Sequence, residues 1–360
     1  MKIGDLPTGP GNAITDVTGV RVGHTTIIQG SGPMKVGTGP VRTGVTVIMP
    51  HEGNIWEEPV YAGCHTLNGN GELTGLEWVR ESGMLTSPIA LTNTHSVGVV
   101  RDALIASAVR QRGPGQLFWA LPVVGETWDG ILNDTNGFHV RPDHVDAAIS
   151  AASDGAVAEG GVGAGTGMIC FGFKGGIGTA SRVLAEPDGA YTVGVLVLAN
   201  YGRRERLCVK GVPVGQMISL KDAPLPEAPE MTRAHGHGSI IVVVATDAPL
   251  LPVQCRRLAQ RAGLGVARCG GVGEHGSGDI FICFSTGNRG LTCNDLDPSV
   301  PLTTQVETVL NAHITPLFDA VVEATEESIV NALVSAETMT GRDGVIAHAL
   351  GGHRLAESLT

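Results

Sequence analysis

Charge is scarce in this chain. Only 16% of its 360 residues are Asp, Glu, Lys or Arg, against about 25% in an ordinary soluble protein, and the net charge is −11. Basic residues are not grouped. The one dense run, Arg203 to Arg206, reads as a solvated turn. Phosphate backbones are gripped by clustered Lys and Arg, so nucleic acid is excluded as the main partner. Long apolar runs are missing as well. No stretch approaches the roughly 18 apolar residues of a membrane span, and Met1 to Pro10 lacks the apolar core of a signal peptide. A soluble, cytoplasmic protein with no membrane partner is the expectation.

The seven cysteines are scattered, odd in number and never spaced Cys-x-x-Cys. That argues against a disulfide framework or a zinc site and for free thiols in a reducing compartment. Cys170, Cys255 and Cys283 lie in apolar stretches and read as small core residues. Twelve histidines include no His-Glu-x-x-His. His235 and His237 are close in sequence, but two histidines in a pliable loop are more often solvated than ligating. The expectation is no metal and no cofactor. Aromatic residues make up only 4%, so small side chains must dominate the packing.

Glycine is what the chain has in excess, with 52 residues, about twice the usual ~7%. The longest glycine-rich segment, Glu159 to Gly178, imitates phosphate loops. It lacks Gly-Lys-Ser/Thr at the required spacing, and Lys174 comes too late. Gly270 to Gly278 shares that weakness. Around these segments, four short apolar runs read as central strands: 45–49, 193–198, 239–245 and 279–284. Their near-continuous hydrophobicity predicts cover on both faces. Helical periodicity marks 97–112, 144–152, 249–262 and 304–338. In the third, Leu250, Val253, Leu258 and Ala262 are expected inside. In the last, Pro316 is expected to kink or divide the helix. Interleaved strands and helices predict a layered α/β architecture. Residues 220–238, rich in Pro, Glu, Ala and Asp, read as a linker or an ordinary surface loop.

That linker ends at Gly238-Ser239, where a hydroxyl stands at the mouth of a core strand. Cleavage of this bond would free the α-amine of Ser239. With a reference pKa of roughly 7.7–8.0, that amine can act as base for its own hydroxyl. On local sequence alone, the same residues also read as a plain turn into a strand. Ser277 and Asp279, two apart at another strand mouth, share a side of the extended chain and can form a hydrogen-bonded relay, or a turn with a capping Asp. Asn200 ends a strand and offers an amide donor for an oxyanion, or a turn asparagine. Glu126 and Trp128 stand next to a predicted turn: the acid can meet an ammonium group and the indole can wall a pocket, or both are loop residues.

Read together, these segments resemble the L-aminopeptidase/D-alanine esterase-amidase family, which includes the β-aminopeptidases. The matching stretches are Gly11 to Thr25, Pro122 to Trp128, Gly165 to Ile169 with Phe173 to Gly178, Val195 to Asn200, Gly238 to Ile241 through Ala245 to Leu250, and Ser277 to Phe281 through Phe284 to Asn288. They follow the family's order over nearly the whole chain. The resemblance implies an α-β-β-α sandwich of the N-terminal-hydrolase type, one catalytic domain over 1–360. It implies self-cleavage into 1–238 and 239–360. It puts the nucleophile on Ser239, the oxyanion asparagine on Asn200, the relay on Ser277 and Asp279, and the acid that meets the substrate amine on Glu126. Some members have tyrosine where this chain has Trp128, and an indole donates a hydrogen bond without acting as a phenol. The implied substrates are small peptides, amides or esters with a free amine, and the implied assembly is a homo-oligomer of two-chain protomers. Two other readings stand beside it: an acyltransferase of the ornithine acetyltransferase type, whose nucleophile is threonine, and a non-catalytic ligand-binding protein.

Overall fold

The computed structural model describes residues 2–112, 117–227, 237–292 and 300–359. Among them, the strands are β1 (Arg21–Gln29), β2 (Val41–Met49), β3 (Val60–Gly69), β4 (Met84–Leu85), β5 (Ile89–Asn93), β6 (Val123–Thr127), β7 (Ile169–Cys170), β8 (Phe173–Lys174), β9 (Gly176–Val183), β10 (Thr192–Asn200), β11 (His237–Thr246), β12 (Gly276–Ser285), β13 (Met339–Thr340) and β14 (Ile346–Ala347). The α-helices are α1 (Leu76–Ser82), α2 (Val97–Arg112), α3 (Pro142–Ser150), α4 (Val214–Met217), α5 (Pro252–Arg268), α6 (Thr315–Val334) and α7 (Gly352–Ser358).

Two sheets carry the fold. One has four strands in the order β1-β2-β5-β6; the other has six, in the order β4-β3-β12-β11-β10-β9. Apolar residues fill three interlayer spaces. Val45, Val47 and Ala90 pack under α2 and α3 through Val100, Leu104 and Val145. Ile48, Leu91 and Val123 meet Leu198, Ile241, Val243 and Ile280 between the sheets. Val242, Val244, Phe281 and Cys283 pack under α5 and α6 through Leu258, Ala262, Leu317 and Val321. The order of layers is therefore α-β-β-α, as the family resemblance implies. Each central strand buries both faces, which is why its apolar run is continuous. At about 1.5–3 kcal/mol for each fully buried aliphatic side chain, these clusters hold the strand that presents Ser239.

β11 and β12 run parallel, with Ser239 opposite Gly278. β11 and β10 run antiparallel, with Ser239 opposite Asn200. Gly238 is fixed by space: a Cβ there would overlap the Asn200 carbonyl oxygen and stand 2.8 Å from Tyr201 Cα. Gly278 is equally constrained, since a Cβ would meet Gly71 Cα at 2.5 Å.

Several expectations are corrected. Pro316 does not kink its helix. It sits in the first turn of α6, where its missing N–H costs nothing, and the chain before it holds no α-helix, only a 3-10 turn at Asn311–His313. The third helix starts at Pro252 rather than 249, for the same reason. Val253 points outward, about half exposed. Arg203 to Arg206 is not wholly solvated: Arg204 is buried over the Phe173 ring and donates to the carbonyls of Phe171, Gly172 and Ala223. Cys170, Cys255 and Cys283 are buried free thiols. In the predicted linker, Leu220 to Glu227 hold no helix or strand, yet Ala223 is buried and anchored by Arg204. The rest of that segment, including His235, lies outside the described residues apart from His237 and Gly238, which begin β11.

Candidate active site

Ser239 is pinned at the mouth of β11 between two neighbours. Its Oγ accepts a hydrogen bond from the Gly278 N–H at 3.2 Å, and Asn200 stands opposite it on β10. Side chains alternate along a strand. Ser239 therefore shares the face of Ile241, Asn200 that of Leu198, and Gly278 that of Ile280, all of which fill the space between the sheets.

Asn200 is almost fully buried, and both ends of its amide are engaged. Its Oδ1 accepts from the Ile169 N–H at 2.8 Å, and its Nδ2 donates to the Trp128 carbonyl at 2.9 Å. An amide nitrogen carries two hydrogens. One is directed at the Trp128 carbonyl, and the other is available to a further acceptor. Trp128 itself is about one-third exposed, with its indole laid against Gly130. Its backbone, rather than its ring, reaches Asn200.

Ser277 Oγ donates to Asp279 Oδ1 at 2.6 Å. The same alternation puts this pair on the other face of the sheet, with Phe281 and Cys283. Ser277 lies opposite Gly238, and Asp279 opposite Ile240. The pair thus flanks the Gly238-Ser239 peptide link from the side away from the Ser239 hydroxyl. Burial raises the Asp279 pKa above the ordinary aspartate value, opposed by the Ser277 hydroxyl and by the Ile240 and Asn68 groups nearby. Asn68 also accepts from the Asp279 N–H at 2.8 Å.

Glu126 closes the constellation from the smaller sheet. It is buried on the edge strand β6. Its Oε1 accepts from the Glu72 N–H at 2.9 Å, and its Oε2 accepts from the Thr94 hydroxyl. A Cβ on Gly71 would stand 3.0 Å from Gly278 Cα and 3.3 Å from Glu126 Oε1. The carboxylate and the glycine that holds Ser239 therefore flank one and the same backbone position. Burial raises the Glu126 pKa, opposed by Thr94 and the Glu72 N–H. Among the described residues no group of three or more His, Cys, Asp or Glu is placed to hold a metal ion.

The chain matches the profile of Peptidase family S58 over residues 12–347. The chain belongs to this family. Beta-peptidyl aminopeptidase BapA of Sphingosinicella microcystinivorans is 50% identical over 93% of this chain and 84% of its own length. The solved structure of a Burkholderia sp. beta-aminopeptidase is 53% identical, with a TM-score of 0.90 over 100% of this chain and 96% of the other. The L-aminopeptidase D-Ala-esterase/amidase of Ochrobactrum anthropi, described as a prototype serine aminopeptidase with a variant of the Ntn hydrolase fold, is 42% identical, with a TM-score of 0.87 over 98% of this chain and 96% of that one. As an S58 member this chain is a hydrolase, a serine-type aminopeptidase of the N-terminal-hydrolase fold. No helix among the described residues is long and apolar enough to cross a membrane.

Sequence reasoning missed four contributors: Gly278 as the donor to Ser239, Ile169 as the donor to Asn200, and Thr94 and Glu72 as the groups that hold Glu126. Three of the four act through a backbone N–H, which no residue type announces. Thr94 follows β5, and its place beside Glu126 depends on the parallel β5–β6 register, in which Thr92 faces Glu126.

Proposed function

We propose that this peptidase cuts itself between Gly238 and Ser239. As a two-chain enzyme it then releases N-terminal residues from small peptides, amides or esters that carry a free amine. The observation that supports this most is the confinement of Ser239 between Asn200 and Gly278, with Ser277 and Asp279 flanking the bond to be cut.

In this reading Ser239 Oγ attacks the substrate carbonyl. Its freed α-amine takes the hydroxyl proton, and the Ser277–Asp279 pair, on the backbone side, orients that amine. The second Asn200 hydrogen and nearby backbone donors stabilise the tetrahedral oxyanion. The amine leaves with the proton, and water then attacks the acyl-enzyme to regenerate Ser239. Glu126 receives the substrate ammonium group, and Trp128 walls the acyl side. The kinship with beta-peptidyl aminopeptidase BapA and the Burkholderia sp. beta-aminopeptidase favours β-amino acid amides among the substrates. Low charge and exposed apolar residues such as Leu117, Leu302 and Val272 support a symmetric homo-oligomer of two-chain protomers. The same negative charge speaks against nucleic acid as a partner, and a cytoplasmic location fits the free thiols.

Acid-quenched mass spectrometry after mixing with an activated ester of a β-amino acid tests the chemistry. The reading expects one acyl group on the 239–360 chain, bound at Ser239. An acyl group on another residue, or turnover with none trapped under burst conditions, would count against it.

A further inference from the structure

Lys174 has no part in the chemistry described so far, and its setting is unusual. Its side chain is fully buried, and its Nζ donates to three backbone carbonyls: Gly165 at 2.9 Å, Met168 at 3.0 Å and Gly175 at 2.7 Å. No carboxylate is among these partners. Burying an ammonium is costly unless its donors are met, and here three acceptors meet three donors. Burial pulls the Lys174 pKa down to about 7. A methionine would fill the same volume without that cost.

What the three bonds hold is the loop from Gly165 to Gly175, which folds back on itself through the β7–β8 pair, with Ile169 opposite Lys174. The decisive unit is the peptide between Met168 and Ile169. Its carbonyl accepts from Lys174 Nζ and from the Gly175 N–H at 2.9 Å. A trans peptide is planar, and its N–H points opposite to its carbonyl. With the carbonyl turned to Lys174, the N–H of Ile169 is aimed at Asn200 Oδ1, 2.8 Å away. That bond decides which end of the Asn200 amide faces Trp128 and the mouth of β11.

We propose that Lys174 is a positioning residue that fixes the Met168–Ile169 peptide plane and through it the orientation of the Asn200 amide. This rests on the reading of Asn200 as an oxyanion donor. Lys174 touches no reacting atom; it acts through one backbone peptide unit on one side chain.

A double-mutant cycle tests it, using the full chain after self-cleavage, with kcat and KM measured on an amino acid p-nitroanilide. Losing one oxyanion donor lowers kcat by about 10²–10³, so a misaligned donor is expected to cost about 10- to 100-fold. Lys174→Met should lower kcat by that factor with KM within about twofold. In the Asn200→Ala background the same substitution should change kcat by less than about threefold, because coupled residues are non-additive. An equal loss in both backgrounds, or a loss confined to KM, would overturn the role of Lys174 and leave that of Asn200 standing. Wild-type kcat in Asn200→Ala would overturn both. Should Lys174→Met not fold, Lys174→Gln, which retains two N–H donors, carries the cycle. A crystal structure reports independently of processing: the Ile169–Asn200 hydrogen bond should be lost in Lys174→Met, and its retention at 2.8 Å would refute the proposal.

Discussion

Replacing Asn200 by alanine separates chemistry from packing. The wild-type side chain makes two buried hydrogen bonds, from Ile169 N–H at 2.8 Å and to Trp128 carbonyl at 2.9 Å. Each partner left unsatisfied in a buried site costs about 1–3 kcal/mol, so the loss is roughly 2–6 kcal/mol of stability. In domains of 150–250 residues 1 kcal/mol shifts the melting temperature by about 2–4 °C, so the variant should melt below wild type by at most about 24 °C. Kinetics are compared at a temperature where the melting curve shows the variant folded. The catalytic loss is read separately: about 10²–10³ in kcat, or 3–4 kcal/mol of transition-state stabilisation. Asn200→Asp sharpens the test. A carboxylate still accepts from Ile169 but donates to nothing, and it sets negative charge against both the Trp128 carbonyl and the oxyanion. It should lose at least as much kcat as alanine. Steady-state kinetics on a free-amine p-nitroanilide, with melting curves on the same preparations, measures both terms. An Asn200→Ala enzyme within threefold of wild-type kcat, or an active Asn200→Asp enzyme, would refute the reasoning.

Glu126→Gln keeps an acceptor for the Glu72 N–H and a partner for Thr94 but removes the charge. It should lower kcat/KM on free-amine substrates by about 10- to 100-fold, the worth of a charge-assisted hydrogen bond, and leave self-cleavage intact; N-acetylated substrates turned over by wild type as fast as free amines would contradict this role. Burial raises the pKa of Asp129 from 3.8 to about 6. The native state therefore binds this proton more tightly than the unfolded chain, and the group's cost, at most about 3 kcal/mol, is complete above pH 6 and vanishes as pH falls below about 4. Asp129→Asn should therefore gain melting temperature relative to wild type as pH rises from 4 to 7, and a pH-independent difference would overturn that sign. Light scattering at micromolar concentration should give a multiple of the 37.1 kDa protomer; a single protomer mass would refute the proposed assembly.

Much of this architecture is legible in the sequence because the central strands are buried on both faces. The runs at 193–198, 239–245 and 279–284 stand out as apolar, and the structure extends each by a residue or a few. β3 and β9 are harder to see, because Gly, Thr, Ser and His interrupt their apolar pattern. The Ser277–Asp279 hydrogen bond follows directly from two-residue spacing on an extended strand. What spacing does not reveal is that this pair and the Ser239 hydroxyl look out on opposite faces, since that depends on the parallel register of β11 and β12. Arg204 and Lys174 mislead for a common reason. Their partners are backbone carbonyls brought in by loops, so their burial leaves no charge pattern to read. Pro316 shows the converse: the same residue breaks a helix or begins one, and only the helix start decides which.

The central claim is that Ser239 makes itself an N-terminus. Intact-protein mass spectrometry on purified wild type and Ser239→Ala, followed over time at neutral pH, tests it most directly. The account predicts two chains of 238 and 122 residues from wild type, the second beginning at Ser239, and a single 360-residue chain from Ser239→Ala. A wild-type chain that stays at full length while it hydrolyses substrate, or a Ser239→Ala chain cut at the same bond, would contradict it.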